Sequence, residues 1–258
     1  MDSVFLMKQG AVGIITLNNP PMNVATLDVV RHLAKCVEEV EQDNEIRSVV
    51  LTTAMPKAFM AGADIKNFSE CLKAPDLHLT LVDECNVAFT RLEALHKPVI
   101  AATQGLVFGA GVELTLVCDI RIADAGATFC LPEIKLGLFP GGGGSQRLPR
   151  LIGKSRAKKM IYTGESITAK QALEWGLVDE VTQKGEAEKT AFALAKTLAE
   201  FSSKTMASVK KAIDTGIDLP LKEGRSLEAE QFLGLFANPD TQEGILAFLE
   251  KRAPKFNI

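Results

Sequence analysis

The chain has 258 residues, 47% of them hydrophobic, enough to bury a full core and to exclude a disordered protein. A formal net charge of -3 gives it no global basic field, so neither nucleic acid nor a membrane is expected as a partner and an anionic ligand must be met locally. Five cysteines, Cys36, Cys71, Cys85, Cys118 and Cys130, are odd in number and contain no CxxC pair, which reads as reduced thiols in the cytoplasm.

Met1 to Gly10 carries an acid at position 2 and runs straight into a strand-like stretch, so neither a secretory leader nor an Arg-rich transit segment is expected. Val12 to Leu17 is a β-rich run. Asn19-Pro20-Pro21 then forces a turn, and Leu27, Val30, Leu33, Val37 and Val40 recur at helical spacing. Ser48 to Thr53 holds Val49-Val50-Leu51, a continuous apolar run suited to a sheet buried on both faces, and Pro98 to Thr103 repeats it. Pro98 to Cys118 is apolar enough to raise a membrane span, but Pro98, Gly105, Gly109, Gly111 and Glu113 interrupt it, and none is expected. Cys118 to Ala123 alternates Cys118, Ile120 and Ile122 with Asp119 and Arg121, the pattern of a half-exposed strand.

Beyond Leu151 the spacing predicts helices over Ser155 to Tyr162, Thr168 to Gly176, Glu186 to Phe201, Ser203 to Gly216, Leu221 to Phe236 and Thr241 to Arg252. The expectation is an α/β core over residues 1–195 and a helical region over 196–258. Ile245, Phe248 and Leu249 share one face of the last helix, which must cover itself on its own core or on a neighbouring subunit.

Three segments can carry chemistry. Ala61-Gly62-Ala63-Asp64-Ile65-Lys66 runs from a strand into a helix start; its small residues let a ligand approach the backbone, although an ordinary tight turn has the same composition. Gly105-Leu106-Val107-Phe108-Gly109-Ala110-Gly111-Val112-Glu113-Leu114 is a second such run. It is no dinucleotide fingerprint, because the third glycine of GxGxxG would fall on Leu114. Glu113 lies amid apolar residues, where a structural ion pair competes with a catalytic role. The third segment is Phe129-Cys130-Leu131-Pro132-Glu133, followed by Pro140, Gly141 to Gly144 and Ser145-Gln146-Arg147, with Ser145 placed to cap a helix. No Lys-Ser or Lys-Thr pair follows the glycines, so this is not a P-loop, and Ser145 does not sit in GxSxG. His32, His78 and His96 have no spacing of a triad or a metal site.

Together Ala61-Gly62-Ala63-Asp64-Ile65, Gly109-Ala110-Gly111-Val112-Glu113-Leu114 and Leu131-Pro132-Glu133 with Pro140-Gly141 and Ser145-Gln146-Arg147-Leu148 resemble the crotonase, or enoyl-CoA hydratase/isomerase, family, in order and separation and over nearly the whole chain. The resemblance implies a spiral of ββα units with an all-helical C-terminal region used in trimerisation and pocket closure. It also implies a homotrimer or a dimer of trimers and an acyl-CoA thioester substrate, with CoA arriving as part of the substrate and no further cofactor or metal. Carried over by position, the N–H groups of Ala63 and Ala110 form an oxyanion hole. Glu113 acts as base, Glu133 as acid, and the Gly141 N–H orients a water. Asn23, Val24, Ala25, Ala61, Gly62, Ala63, Asp64 and Ile65 border the CoA, and Phe248 and Lys251 approach its nucleotide, in some relatives from the adjacent subunit. As a bare pattern, Phe248 and Lys251 read equally as a core aromatic and a solvated lysine.

Both glutamates being present favours hydration of a 2-enoyl-CoA. The alternatives are an isomerase shifting a 3-double bond to 2, which in this family manages with the carboxylate matching Glu133, and a silent acyl-CoA-binding protein. Two departures stand out: Ala110 replaces the middle of the family's frequent three glycines, and Asn18-Asn19-Pro20-Pro21 replaces the usual arginine-proline. Asn86 to Leu95 and Ser69 to Leu81 are expected to border the acyl pocket.

Overall fold

The structure, a computed structural model, describes residues 2–66, 69 and 80–257. Most of the expected acyl-pocket border between Ser69 and Leu81 therefore lies outside the described residues.

The chain opens with a hairpin. β1 (Val4–Gln9) pairs antiparallel with β2 (Val12–Leu17), turning at Gly10 with φ +61°. β2 and β3 (Ser48–Thr53) are buried at every residue. They lie parallel in a six-stranded sheet of order β1, β2, β3, β5 (Val99–Thr103), β7 (Ile120–Asp124), β10 (Glu180–Thr182). Parallel neighbours need crossovers, and the crossovers place helices on both faces. The period-2 alternation sorts the side chains accordingly. Leu17, Val49, Leu51, Val99 and Ala101 share a core with helix α1 (Leu27–Gln42), which buries Val29, Val30, Leu33, Val37 and Val40 and is capped by the Thr26 hydroxyl. Val12, Ile14, Val50, Ile100, Ala102 and Ile122 face the other way, onto Ala187, Ala191 and Ala195 of the helix spanning Ala187–Ala199. Alanines four apart make a flat stripe that lets that helix sit close to the sheet.

A smaller sheet runs beside the first, in the order β4 (Ala58–Met60), β6 (Leu106–Phe108), β8 (Thr128–Cys130), β9 (Ile167–Thr168). The chain repeats one course: a strand to the large sheet, a strand to the small one, then a helical segment. β3 and β4 lead towards α2 (Thr80–Glu93), β5 and β6 lead into α3 (Ala110–Leu116), and β7 and β8 lead into a 3-10 turn, Pro132–Leu136. This is the expected spiral of ββα units. Its consequence is positional. β4, β6 and β8 are parallel neighbours, so the segments that leave their C-terminal ends emerge side by side.

Two expectations are corrected. The 118–123 stretch is not half-exposed: Arg121 is only 6% exposed, and it tolerates burial because its guanidinium donates to Cys118 O at 2.6 Å and pairs with Asp179 at 3.2 Å. Ser145 does not cap a helix; α4 (Gly144–Ile152) starts earlier, from Gly143 with φ +102°, and has no side-chain cap.

The expected helices follow as α5 (Lys154–Thr163), α6 (Ala169–Trp175) with a Thr168–Gln171 capping box, α7 (Ala187–Ala199), α8 (Ser203–Gly216), α9 (Leu221–Gly234) and α10 (Pro239–Leu249). α10 begins before the expected Thr241 because Asn238 caps it and Pro239 takes its first position. The last three helices leave Ile217, Leu221, Phe236 and Leu249 exposed, and Phe248 is 83% exposed, so the tail does not cover its apolar faces on its own core. Among the described residues no helix is long and apolar enough to cross a membrane.

Candidate active site

The first segment is tied to the start of the chain by a parallel bridge between Ala25 and Ala63. Ala25 N–H donates to Gly62 O at 2.8 Å, and Asp64 N–H donates to Ala25 O at 3.0 Å. In a parallel bridge the flanking groups make the bonds, which directs the N–H of Ala63 itself to the opposite side, away from Ala25. Asn23, two residues before Ala25, anchors the strands that precede the segment. It is fully buried with φ +51°; its amide donates to Thr53 Oγ1 at 2.6 Å and Phe59 O at 2.9 Å, and its carbonyl accepts from Asn19 N–H at 2.6 Å. With those partners its side chain ties the Asn19 turn to β3 and β4 and has no group left over for a ligand. Ala25 is likewise fully buried, Asp64 accepts from Lys66 N–H at 3.0 Å, and Ile65 stands exposed at the mouth.

The second segment turns at Gly109, whose φ of +54° suits glycine, and its N–H donates to Cys130 O at 2.9 Å. A Cβ on Gly109 would lie 3.4 Å from Gly62 Cα and 3.0 Å from Glu133 Oε1, so this one position is where the three segments meet. Ala110 opens α3, so its N–H has no partner within the helix. Gly111 lets that helix pack on β4: a Cβ there would come within 2.4 Å of Met60 O.

Glu113, one turn into α3, is 4% exposed. It is held by two backbone amides and, among the described residues, by no ion pair: Gly142 N–H donates to its Oε1 at 2.7 Å and Gly144 N–H at 2.9 Å. Burial pushes its carboxyl above the ordinary range, while the two amides and the charge of Arg147 pull it back. The run of glycines is what admits this arrangement, since a Cβ on Gly142 would stand 2.7 Å from Glu113 Oε2. Glu133 sits on the 3-10 turn after β8, and its Oε2 is buried with no hydrogen-bond partner among the described residues. Burial, and after it the negative charge of Glu113, pushes its carboxyl up to about 7. The pair is therefore asymmetric: two loop amides and the charge of Arg147 favour the ionised form of Glu113, while burial and the charge of Glu113 favour the protonated form of Glu133.

Helix α2 closes the site behind the glycines. Asn86 Nδ2 donates to Gly141 O at 3.3 Å, and Cys85 lies close enough to Glu113 that burial and that charge push its thiol up to about 12. Asn86 falls within the stretch expected to border the pocket. The roles of Gly142, Gly144 and Arg147 were not read from the sequence, although the unbroken glycines Gly141 to Gly144 were the available signal. Phe248 and Lys251 are not brought to the glutamates within one chain; both are exposed, and α10 packs on the 3-10 turn Leu235–Ala237.

Residues 7–258 match the family described as enoyl-CoA hydratase/isomerase. The chain is 37% identical to the short-chain-enoyl-CoA hydratase of Clostridium acetobutylicum over 98% of its own length and 96% of that protein. It is 40% identical to the 2,3-dehydroadipyl-CoA hydratase of Escherichia coli over 99% of each chain. The crystal structure of an enoyl-CoA hydratase from Bacillus anthracis superposes with a TM-score of 0.92 at 36% identity, covering 98% of both chains. On these matches the chain belongs to the enoyl-CoA hydratase/isomerase family.

Proposed function

We propose that the protein is an enoyl-CoA hydratase, a hydro-lyase that reversibly adds water to a 2-enoyl-CoA to give a 3-hydroxyacyl-CoA. The observation that carries this reading is a pair of differently supported glutamates: Glu113, buried with two loop amides on one oxygen, and Glu133, half-buried against the Gly62–Gly109 junction with its Oε2 enclosed. Attack of water at C3 moves the π electrons of the double bond towards C2 and the thioester oxygen. The N–H groups of Ala63 and Ala110 serve as the oxyanion hole for that oxygen, each preorganised donor being worth roughly 3 kcal/mol at the transition state. Glu113, ionised, takes a proton from the water as its oxygen bonds to C3; Glu133, protonated, delivers a proton to C2. The hydroxyl ends on C3 and a hydrogen on C2, and one proton passed from Glu113 back to Glu133 resets the pair. The Gly141 N–H helps to orient the water.

The strap over Ala61 to Ile65, with Val24 and Ala25 beneath it, borders the CoA, and CoA enters only as part of the substrate. The exposed apolar faces of α8 to α10 support assembly as a homotrimer or dimer of trimers, in which Phe248 and Lys251 reach a neighbour's nucleotide site. The domain division proposed at residues 195/196 sets this helical region apart from the spiral. Free, buried Cys36, Cys85, Cys118 and Cys130 support a cytoplasmic location.

The test is hydration of a panel of 2-enoyl-CoAs from short to long acyl chains, each followed by loss of the conjugated double bond. Turnover of at least one is expected; a folded protein that hydrates none would favour a silent acyl-CoA-binding protein.

A further inference from the structure

The glycine loop that supports Glu113 is gripped from its far side at two successive carbonyls. Asn86 Nδ2 donates to Gly141 O at 3.3 Å, and Arg147 Nη1 donates to Gly142 O at 3.4 Å. Arg147 is itself held fast. Its Nε and Nη2 make a two-pronged bond to Glu93, at 2.8 and 2.6 Å. Its own backbone N–H donates to Gly143 O at 2.8 Å, and a Cβ on Gly143 would fall 1.9 Å from Nη1, so the guanidinium lies against bare backbone. Asn86 and Glu93 are seven residues apart on α2, two turns, so a single helix face anchors both grips.

The opposite side of the same loop presents Gly142 and Gly144 N–H to Glu113 Oε1. The Gly142 N–H shares its peptide plane with Gly141 O, which Asn86 holds, and the Gly144 N–H shares its plane with Gly143 O, which accepts from the Arg147 backbone N–H; the Arg147 guanidinium, on Gly142 O, fixes the peptide between those two planes. We propose that Arg147, oriented by Glu93, is a positioning residue for Glu113: it locks the glycine loop so that two amides stay on one carboxylate oxygen, and the other oxygen is left for the water. The proposal rests on the reading of Glu113 as the base.

Among the described residues, the charged and titratable groups that face Glu113 come from three elements. α4 contributes Arg147, α2 contributes Cys85 and, behind Arg147, Glu93, and the 3-10 turn contributes Glu133. Cys85 stays a neutral thiol throughout the working range. Loss of Arg147 takes away both the amides' alignment and a favourable charge, two changes of the same sign, so Glu113 binds its proton more tightly.

The experiment is Arg147→Gln in the full-length protein, with two readouts. In the first, carbon-13-labelled glutamate carboxyls are titrated by NMR, with Glu113→Gln to assign the signal; Glu113 of the variant is expected to titrate at higher pH than in the parent. In the second, the kcat–pH profile of hydration shifts its acid limb to higher pH, and kcat at neutrality falls roughly tenfold or more while KM changes less than about twofold. Arg147→Lys keeps the charge without the two-pronged grip and is expected to shift Glu113 in the same direction by less, and it carries the test should Arg147→Gln fail to fold. A Glu113 titration unmoved in a folded Arg147 variant overturns the proposal. Because that titration needs no turnover, a protein that hydrates nothing would count against the proposed function and leave the positioning claim to be judged by the NMR alone.

Discussion

Two amides point at Glu113 and none reaches Oε2 of Glu133. Both side chains lose water on folding; Glu113 gains two loop amides and a nearby cation, whereas Glu133 has only its own backbone N–H and feels the negative charge of Glu113, which favours the protonated form of Glu133. On that basis kcat/KM is expected to fall on the alkaline side with a midpoint near about 7, as Glu133 loses its proton, and on the acid side as Glu113 gains one. A pH profile that stays flat through neutrality would contradict the assignment. The same asymmetry has a stability counterpart. The carboxyl of Glu133 is raised from an ordinary 4.5 to about 7, so its protonated form is favoured in the folded state; its contribution to stability is complete below 4.5 and is lost as pH rises through about 7. Glu133→Gln removes that loss, so the variant should melt above the parent at roughly pH 8 and together with it at roughly pH 4. An equal offset at both pH values would show that Glu133 is not a strained, buried acid.

At the scale of elements, the site depends on how closely α3 approaches the small sheet. Gly111 has no room for a methyl against Met60 O, at 2.4 Å from an ideal Cβ, and backbone cannot step aside as a side chain can. Gly111→Ala is therefore expected to destabilise the fold by about 1–3 kcal/mol and to lower activity with it, measurable by denaturant unfolding and hydration rate in parallel. Ala110, one residue earlier, carries its methyl without conflict of that kind, which is why the departure from three successive glycines is tolerated there. Elements with strong periodicity were legible in the sequence: β2, β3, β5, α1 and α8 fall where their apolar spacing puts them. Short strands were not. β4, β6, β8 and β9 have two or three residues each, too few for a period to register, and only their alignment in the small sheet gives them meaning. The stretch around Arg121 misled because alternation reports a two-sided environment without saying that the charged side is dry; Asp179, 58 residues away, supplies the missing partner. The glutamates themselves were legible through the family motifs, whereas the grip on Glu113 from Gly142, Gly144 and Arg147 depends on a loop whose backbone path no local pattern specifies.

At the scale of the whole molecule, α8 to α10 and the turns that join them present Ile217, Leu221, Phe232, Phe236 and Phe248 to solvent in the single chain. A surface of that kind belongs in an interface. The parent is expected to sediment as three or six copies, and Ile217→Asp together with Phe248→Asp to sediment as a smaller species. If a neighbour's Phe248 and Lys251 complete the nucleotide site, that species should also show a raised KM for enoyl-CoA, with kcat less affected. A parent that sediments as a monomer at micromolar concentration would refute the assembly proposed here.

The claim on which the rest depends is that Glu113 and Glu133 act on one water in the transition state and do little for binding. The most direct measurement is the steady-state hydration of a turned-over 2-enoyl-CoA by Glu113→Gln and by Glu133→Gln, alongside calorimetric binding of a non-reactive acyl-CoA. The account predicts that each variant loses roughly two to four orders of magnitude in kcat while binding changes little. Near-normal kcat in either variant, or a loss explained by binding alone, would contradict it.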